Sequence, residues 1–169
     1  MRVTAIRIMN FRSYLDSRKI ELAPITIFVG ANNSGKSSIV RALLMMQAGF
    51  ESTYRDVRYG GVSASIHIDL DCTAPLENWK AFTGTSTSAQ LKIGISKDRI
   101  SQSLKGIDGN ERPAPLIPNI EPDHFIVPHL ASRKTSIYQQ EVRKQYSMQV
   151  GSGTNFLAAK LARIANPNF

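Results

Sequence analysis

The sequence predicts an α/β fold: a mixed sheet around one strand–loop–helix unit, carrying an antiparallel β insert. Three observations lead there. A continuous apolar run, Ile25-Thr26-Ile27-Phe28-Val29, enters a loop bounded by Gly30 and Gly35, and helix formers follow from Ile39 to Gln47. Two later segments, 63–71 and 89–95, alternate polar and apolar residues with period two, the pattern of strands with one wet face. The 169 residues are 42% hydrophobic and 20% charged, a balance that excludes a wholly disordered chain and suffices to bury a core.

Taken in order, residues 2–9 read as a strand covered in part on both faces, with Val3, Ala5 and Met9 opposed to Ile6 and Ile8. Asn10-Phe11-Arg12-Ser13-Tyr14 reads as a turn, and residues 17–22 as the antiparallel return. Residues 25–29, β-branched and aromatic throughout, read as a strand buried on both faces of a mainly parallel sheet. The helix that follows the loop has Gly49 as its stop. Residues 83–88 form a polar, low-complexity turn. Gly106, Gly109 and four prolines between 113 and 122 mark an irregular, exposed connector. Phe125-Ile126-Val127 reads as a short buried strand ended by Pro128. Residues 136–149 are helix-compatible, and 155–165 read as a helix with Phe156, Leu157, Leu161 and Ile164 on its apolar face, capped by Thr154 or Asn155.

The residues that carry chemistry lie between 30 and 38. Gly30 to Ser37 fits G-x-x-x-x-G-K-[ST], the phosphate-binding loop. The spacing has a physical reason. Gly30 and Gly35 let the backbone of the loop, with Asn32, Asn33 and Ser34 between them, curl into a nest whose N–H groups point inward at a phosphate. Those amides stand at a helix N-terminus, whose dipole favours negative charge. Lys36 then sets an ammonium against the β- and γ-phosphates. Ser37 offers a hydroxyl to Mg²⁺, a hard cation that takes oxygen ligands, and Ser38 follows on the helix.

With these residues, the chain resembles the start of ABC-type ATPase heads, the P-loop NTPases of the SMC and RecF proteins and the overcoming-lysogenization-defect (OLD) nucleases. The resemblance is carried by Asn10-Phe11-Arg12-Ser13-Tyr14, the antiparallel return, and the run from Ile25 to Leu43. The wording G-A-N-N-S-G-K-S-S is most similar to the OLD-like AAA ATPases of bacterial anti-phage systems. It implies the N-terminal lobe of such a head, with residues 1–50 as nucleotide-binding core, 51–122 as β insert and connector, and 123–169 as a strand plus basic helical segment. It also implies ATP and Mg²⁺ as cofactors, a homodimer that sandwiches ATP between heads, and an effector nuclease as a partner. Arg12 matches the arginine of the family's N-F-R-S motif, which approaches the nucleotide phosphates.

Other family features are absent. The strand at 125–127 leads to Pro128 and His129, where the family carries a glutamine. No apolar strand ends in paired acids, and residues 66–71 imitate that Walker B pattern only as an alternating edge or insert strand. The L-S-G-G-Q signature is absent, with 150–155 similar to it only in its glycines. The expectation is an N-terminal part of a longer ATPase, with no catalytic acid assigned. A non-hydrolysing nucleotide-binding adaptor is the alternative, and a P-loop kinase a third reading, disfavoured by the N-terminal antiparallel pair.

Charge adds a second expectation. Lys and Arg outnumber Asp and Glu by 21 to 13, a net charge of +8. From His124 onward, Arg133, Lys134, Arg143, Lys144, Lys160 and Arg163 face one acid, Glu141. Such a segment favours a polyanion, with DNA through Arg133, Lys134, Arg143 and Lys144 as one reading and a solvated basic face or a patch for an acidic partner domain as the other. One cysteine, Cys72, excludes an internal disulfide, and no apolar stretch is long enough for a membrane helix; the cytoplasm is the expected compartment.

Overall fold

The structure is a computed structural model and describes residues 1–50, 52–74, 80, 86–105, 109–120, 125–127, 148 and 163–164. It divides into two compact units: residues 1–46 with 50–116, and residues 47–49 with 117–169.

The first unit is organised by one sheet. Strand β1 (Arg2–Phe11) turns into β2 (Tyr14–Asp16) and β3 (Ile20–Glu21), both antiparallel to the same edge of β1. The return is therefore split, where the sequence suggests one strand over 17–22. The interruption has a local cause. Arg18 adopts a positive φ of 53°, its amide donates to Asp16 Oδ1, and the Ser17 hydroxyl accepts from the Ile8 amide in place of a backbone carbonyl.

Helix α1 (Lys36–Leu44) follows the phosphate loop and packs on β1. It begins three residues before the span read from sequence and ends at Leu44, ahead of Gln47. Strands β4 (Ser63–Asp71), β5 (Ser88–Ser96), β6 (Ile100–Lys105) and β7 (Glu111–Pro113) complete the sheet in the order β2-β1-β4-β5-β6-β7, with every strand pair antiparallel. The alternation read in 63–71 is realised: Ala64, Ile66, Ile68 and Leu70 are buried, and Ala89, Leu91, Ile93 and Ile95 share their face on β5. Each such isoleucine or leucine stabilises the sheet by roughly 1.5–3 kcal/mol relative to an exposed side chain.

Three expectations fail here. β4, read as an edge or insert strand, lies between β1 and β5, so the edge alternative falls. β7 falls inside the supposed irregular connector, since an edge strand tolerates Pro113, which has no N–H to donate. Residues 25–29 are not a buried strand: Ile25, Ile27 and Val29 are 79–89% exposed. An all-apolar strand is buried only by hydrogen-bonded neighbours and covering layers, and among the described residues no strand pairs with 25–29.

In the second unit, Gln47 and Ile117 form an isolated parallel bridge, and the Ala48 amide donates to the Ile117 carbonyl. Phe125-Ile126-Val127 is not in strand conformation, and Val127 is 41% exposed. Three of its backbone groups bond the fully buried Gln47 side chain. Gln47 Oε1 accepts from the amides of Phe125 and Ile126, and Nε2 donates to the Ile126 carbonyl at 3.0 Å. One side-chain amide thus takes the place of a neighbouring strand. Most of the helical readings over 136–165 lie outside the described residues, although Met148, Arg163 and Ile164 are helical. Among the described residues, no helix is long and apolar enough to cross a membrane.

Candidate nucleotide-binding site

The loop and the Asn10–Tyr14 turn meet because of Gly35. It caps α1 in the left-handed region, φ 93°, where a side chain is strained. A Cβ there would stand 2.7 Å from Ser13 Oγ and 2.9–3.0 Å from the Tyr14 ring. The turn therefore packs directly on the loop's second glycine. Asn33 also has a positive φ, 66°, which asparagine tolerates. A Cβ on Gly30 would meet Ser34 Oγ at 2.9 Å.

Between turn and loop lies a cavity of about 420 Å³, lined by Arg12, Ser13, Asn32, Asn33, Ser34, Gly35, Lys36, Ser37 and Ser38. Eight of these nine are nucleotide-site candidates from the sequence; Ser13 is the addition. Gly30 is not in the lining, but its carbonyl takes part. Lys36, the first residue of α1, folds its ammonium back to donate to the carbonyls of Gly30 at 2.7 Å and Ala31 at 2.6 Å, with Ser34 Oγ at 3.4 Å. Ser37 is exposed, whereas Ser38 is buried with its Oγ 3.5 Å from Ser13 Oγ. α1 has no acidic residue in its first turn and no side-chain cap, so the positive end of the helix faces the cavity unneutralised.

A residue that sequence reasoning misses holds the turn from behind. Asp56 ends a 3-10 turn, Tyr54–Asp56, and is 3% exposed. Arg12 Nε donates to Asp56 Oδ1 at 2.7 Å, and the Arg12 amide donates to the Asp56 carbonyl at 2.8 Å. Asp56 Oδ2 accepts from the Thr53 amide, closing a capping box, and lies 3.6 Å from Arg41 Nη2 on α1. Burial alone would push this carboxyl up, but the hydrogen bonds from Arg12 and Thr53 and the charges of Arg12 and Arg41 hold it below its ordinary value. Thr53-x-x-Asp56 could signal the capping box; nothing in sequence links it to Arg12, 44 positions earlier.

Among the described residues, the cavity lining contains no carboxylate. Asp69, the nearest imitation of a Walker B acid, lies elsewhere on β4, paired with Lys19 at 2.9 Å and accepting from Gln90 at 2.7 Å. Among the described residues, no cluster of three His, Cys, Asp or Glu side chains could hold a metal ion. Arg133, Lys134, Arg143, Lys144 and His129 lie outside the described residues.

Comparison with known proteins bears on the family and the fold. A family model, AAA_15, the AAA ATPase domain, matches residues 1–153, and the chain belongs to that family. Its fold is the N-terminal lobe of an ABC-type P-loop ATPase head of the SMC/RecF group. The DNA replication and repair protein RecF of Edwardsiella ictaluri (strain 93-146) is 31% identical over 112 residues, 66% of this chain and 28% of that protein. A solved structure of the recombination mediator protein RecF with ATP, from the RecFOR pathway, superposes with a TM-score of 0.51 at 14% identity, covering 68% of this chain and 29% of that one. At that identity the likeness concerns the fold alone. The chain spans less than a third of the length of either relative.

Proposed function

We propose that the chain binds ATP with Mg²⁺ in the cavity between the Asn10–Tyr14 turn and the phosphate loop, as part of an SMC/RecF-like ATPase that acts on DNA in repair or recombination. The observation that carries this reading is the convergence of two cations, Arg12 and Lys36, with the uncapped N-terminus of α1 on one cavity of about 420 Å³. That volume suits a small molecule, and among the described residues every fixed charge at its wall is positive.

The residues present fit the ligand. The backbone of Asn32, Asn33, Ser34 and Gly35 cradles phosphate, Lys36 contacts the β- and γ-phosphates, and Ser37 offers Mg²⁺ its hydroxyl beside Ser38. A magnesium ion bound with a nucleotide needs few protein ligands, because phosphates and waters supply the remainder. Arg12 approaches the phosphates from the turn. Dimerisation through the heads, DNA contacts through Arg133, Lys134, Arg143 and Lys144, an effector nuclease and a cytoplasmic location belong to the same reading. The loop wording G-A-N-N-S-G-K-S-S supports an anti-phage variant of it. The cavity's lack of an acid among the described residues supports the non-hydrolysing adaptor.

Lys36→Ala tests the site. A charge-assisted contact to phosphate is worth about 1.5–3 kcal/mol, so ATP affinity falls at least about tenfold by calorimetry with Mg²⁺. Circular dichroism stays unchanged, because the Lys36 ammonium bonds only loop atoms. Equal affinity in the two proteins removes the proposal. ATP turnover by the wild-type chain, lost in Lys36→Ala, removes the adaptor alternative.

A further inference from the structure

We infer that Asp56 is a positioning residue for the nucleotide site, setting the guanidinium of Arg12 at the cavity mouth; the inference rests on the ATP site proposed above. Three observations support it. The first is how Arg12 is held. Among the described residues, its side chain donates only through Nε, and its guanidinium carbon lies 5.8 Å from the Phe11 ring centroid. An arginine bound to a carboxylate for structure alone commonly uses a two-pronged fork. Binding through Nε leaves both terminal amino groups for a planar, bidentate grasp of a phosphate.

The second observation is how Asp56 is held. The carboxylate is 5% exposed, and its two oxygens divide their work. Oδ1 takes Arg12, while Oδ2 takes the Thr53 amide and faces Arg41 of α1. Asp56 thereby ties together the turn that carries Arg12, its own 3-10 turn and the helix that carries Lys36 and Ser37. The third is the backbone that fixes the turn. Arg12 has a positive φ of 48°, an uncommon conformation for arginine, held by the hydrogen bond its backbone N–H donates to the Asp56 carbonyl. The Phe11–Val57 bridge and the Arg58 amide, which donates to the Asn10 carbonyl at 2.7 Å, close the same clamp. Asp56 lies outside the cavity lining and acts through Arg12.

Calorimetry with ATP and Mg²⁺ on four proteins tests this: wild type, Arg12→Ala, Asp56→Asn and the double variant, with thermal melting of each. Asp56→Asn alone is expected to weaken ATP by about fivefold to tenfold, in line with removal of one charged positioning bond. In the Arg12→Ala background the same change is expected to alter ATP affinity by less than about twofold, as residues that act through one another are non-additive. Its effect on melting persists there, because the contacts of residue 56 with Thr53 and Arg41 are still weakened. Asp56→Glu keeps the charge and is the usual residue at this position of a capping box, so it is expected to recover affinity to within about threefold of wild type. Independent losses from Arg12→Ala and Asp56→Asn overturn the inference, as does an Asp56→Glu variant as weak as Asp56→Asn. If Lys36→Ala abolishes binding while Arg12→Ala and Asp56→Asn leave it intact, the ATP site stands and the positioning role falls. A wild-type chain that does not bind ATP removes both.

Discussion

Replacing Gly35 by alanine measures how closely the Asn10–Tyr14 turn is pressed on the phosphate loop. Two costs add. The left-handed backbone, φ 93°, penalises any side chain by about 1–2 kcal/mol. The new Cβ also meets Ser13 Oγ at 2.7 Å and two Tyr14 ring atoms at 2.9 and 3.0 Å. The serine hydroxyl can rotate away, but the ring must move as a rigid plate, for about 1–2 kcal/mol more by analogy with overpacked cores. Gly60 supplies the control. Its φ is 81° and a Cβ there meets nothing within 4 Å, so Gly60→Ala carries the conformational cost alone. Urea unfolding of the two variants should differ by at least about 1 kcal/mol, with Gly35→Ala the weaker, equivalent to roughly 2–4 °C in melting temperature for a chain of this size. Adding Tyr14→Ala to Gly35→Ala should cost less than Tyr14→Ala in the wild type, since it also relieves the clash. Equal costs at Gly35 and Gly60 would mean that the turn does not rest on the loop, and the cavity would have no wall on that side.

Acid stability follows from the carboxylates. Asp56 is held below its usual value and Asp16, bonded by exposed Arg7 and the Arg18 amide, is lowered to about 2, so the unfolded chain binds more protons in acid. Their contribution is complete above the unfolded value of about 4 and is lost as pH falls toward the folded values. Urea midpoints between pH 7 and pH 3 should therefore drop, and drop less steeply in Asp56→Asn; identical slopes would mean that Asp56 contributes nothing to the pH dependence. For the basic segment, changing Arg143 and Lys144 together to Glu should weaken duplex DNA binding. The slope of log K against log salt should shrink by about 0.9 for each duplex phosphate the protein no longer neutralises. Unchanged binding would turn that segment into a protein interface.

What is legible in the sequence is what local rules determine. The phosphate loop is a contiguous pattern whose glycines and lysine have no other common use together, and β4 and β5 alternate strictly because one face is buried. The sequence misleads where distant partners decide. Residues 25–29 have the composition of a central strand, yet Ile25, Ile27 and Val29 are exposed because pairing, not composition, buries a strand. β6 hides its pattern behind Gln102, whose amide donates to the Pro115 carbonyl, so Ile100 and Leu104 do not stand out as an alternating pair. Phe125-Ile126-Val127 has the apolar side chains of a strand, but its hydrogen bonds go to the single side chain of Gln47. Asp56 is invisible in sequence for the same reason: a carboxylate's partner is set by the fold.

If the cavity takes ATP as proposed, the charges around it serve binding and not turnover. Arg12, Lys36 and the positive end of α1 would repel one another across a small space, and each cation is quieted by a local device. Lys36 lies on the carbonyls of Gly30 and Ala31, and Arg12 on a carboxylate that stands outside the lining. In the proposed reading, an incoming polyphosphate would meet donors already in place and would displace the lysine from the loop oxygens, while the acid that holds Arg12 stays outside the lining. Every element in that scheme lies between residues 10 and 56, within the segment matched to the AAA ATPase domain. Hydrolysis asks for something different, an acid that orients the attacking water and a carboxylate on the metal, and neither group lines the cavity among the described residues. In the proposed reading, affinity for ATP rests on the loop, the turn and the Asp56 clamp, and turnover would draw on groups other than these.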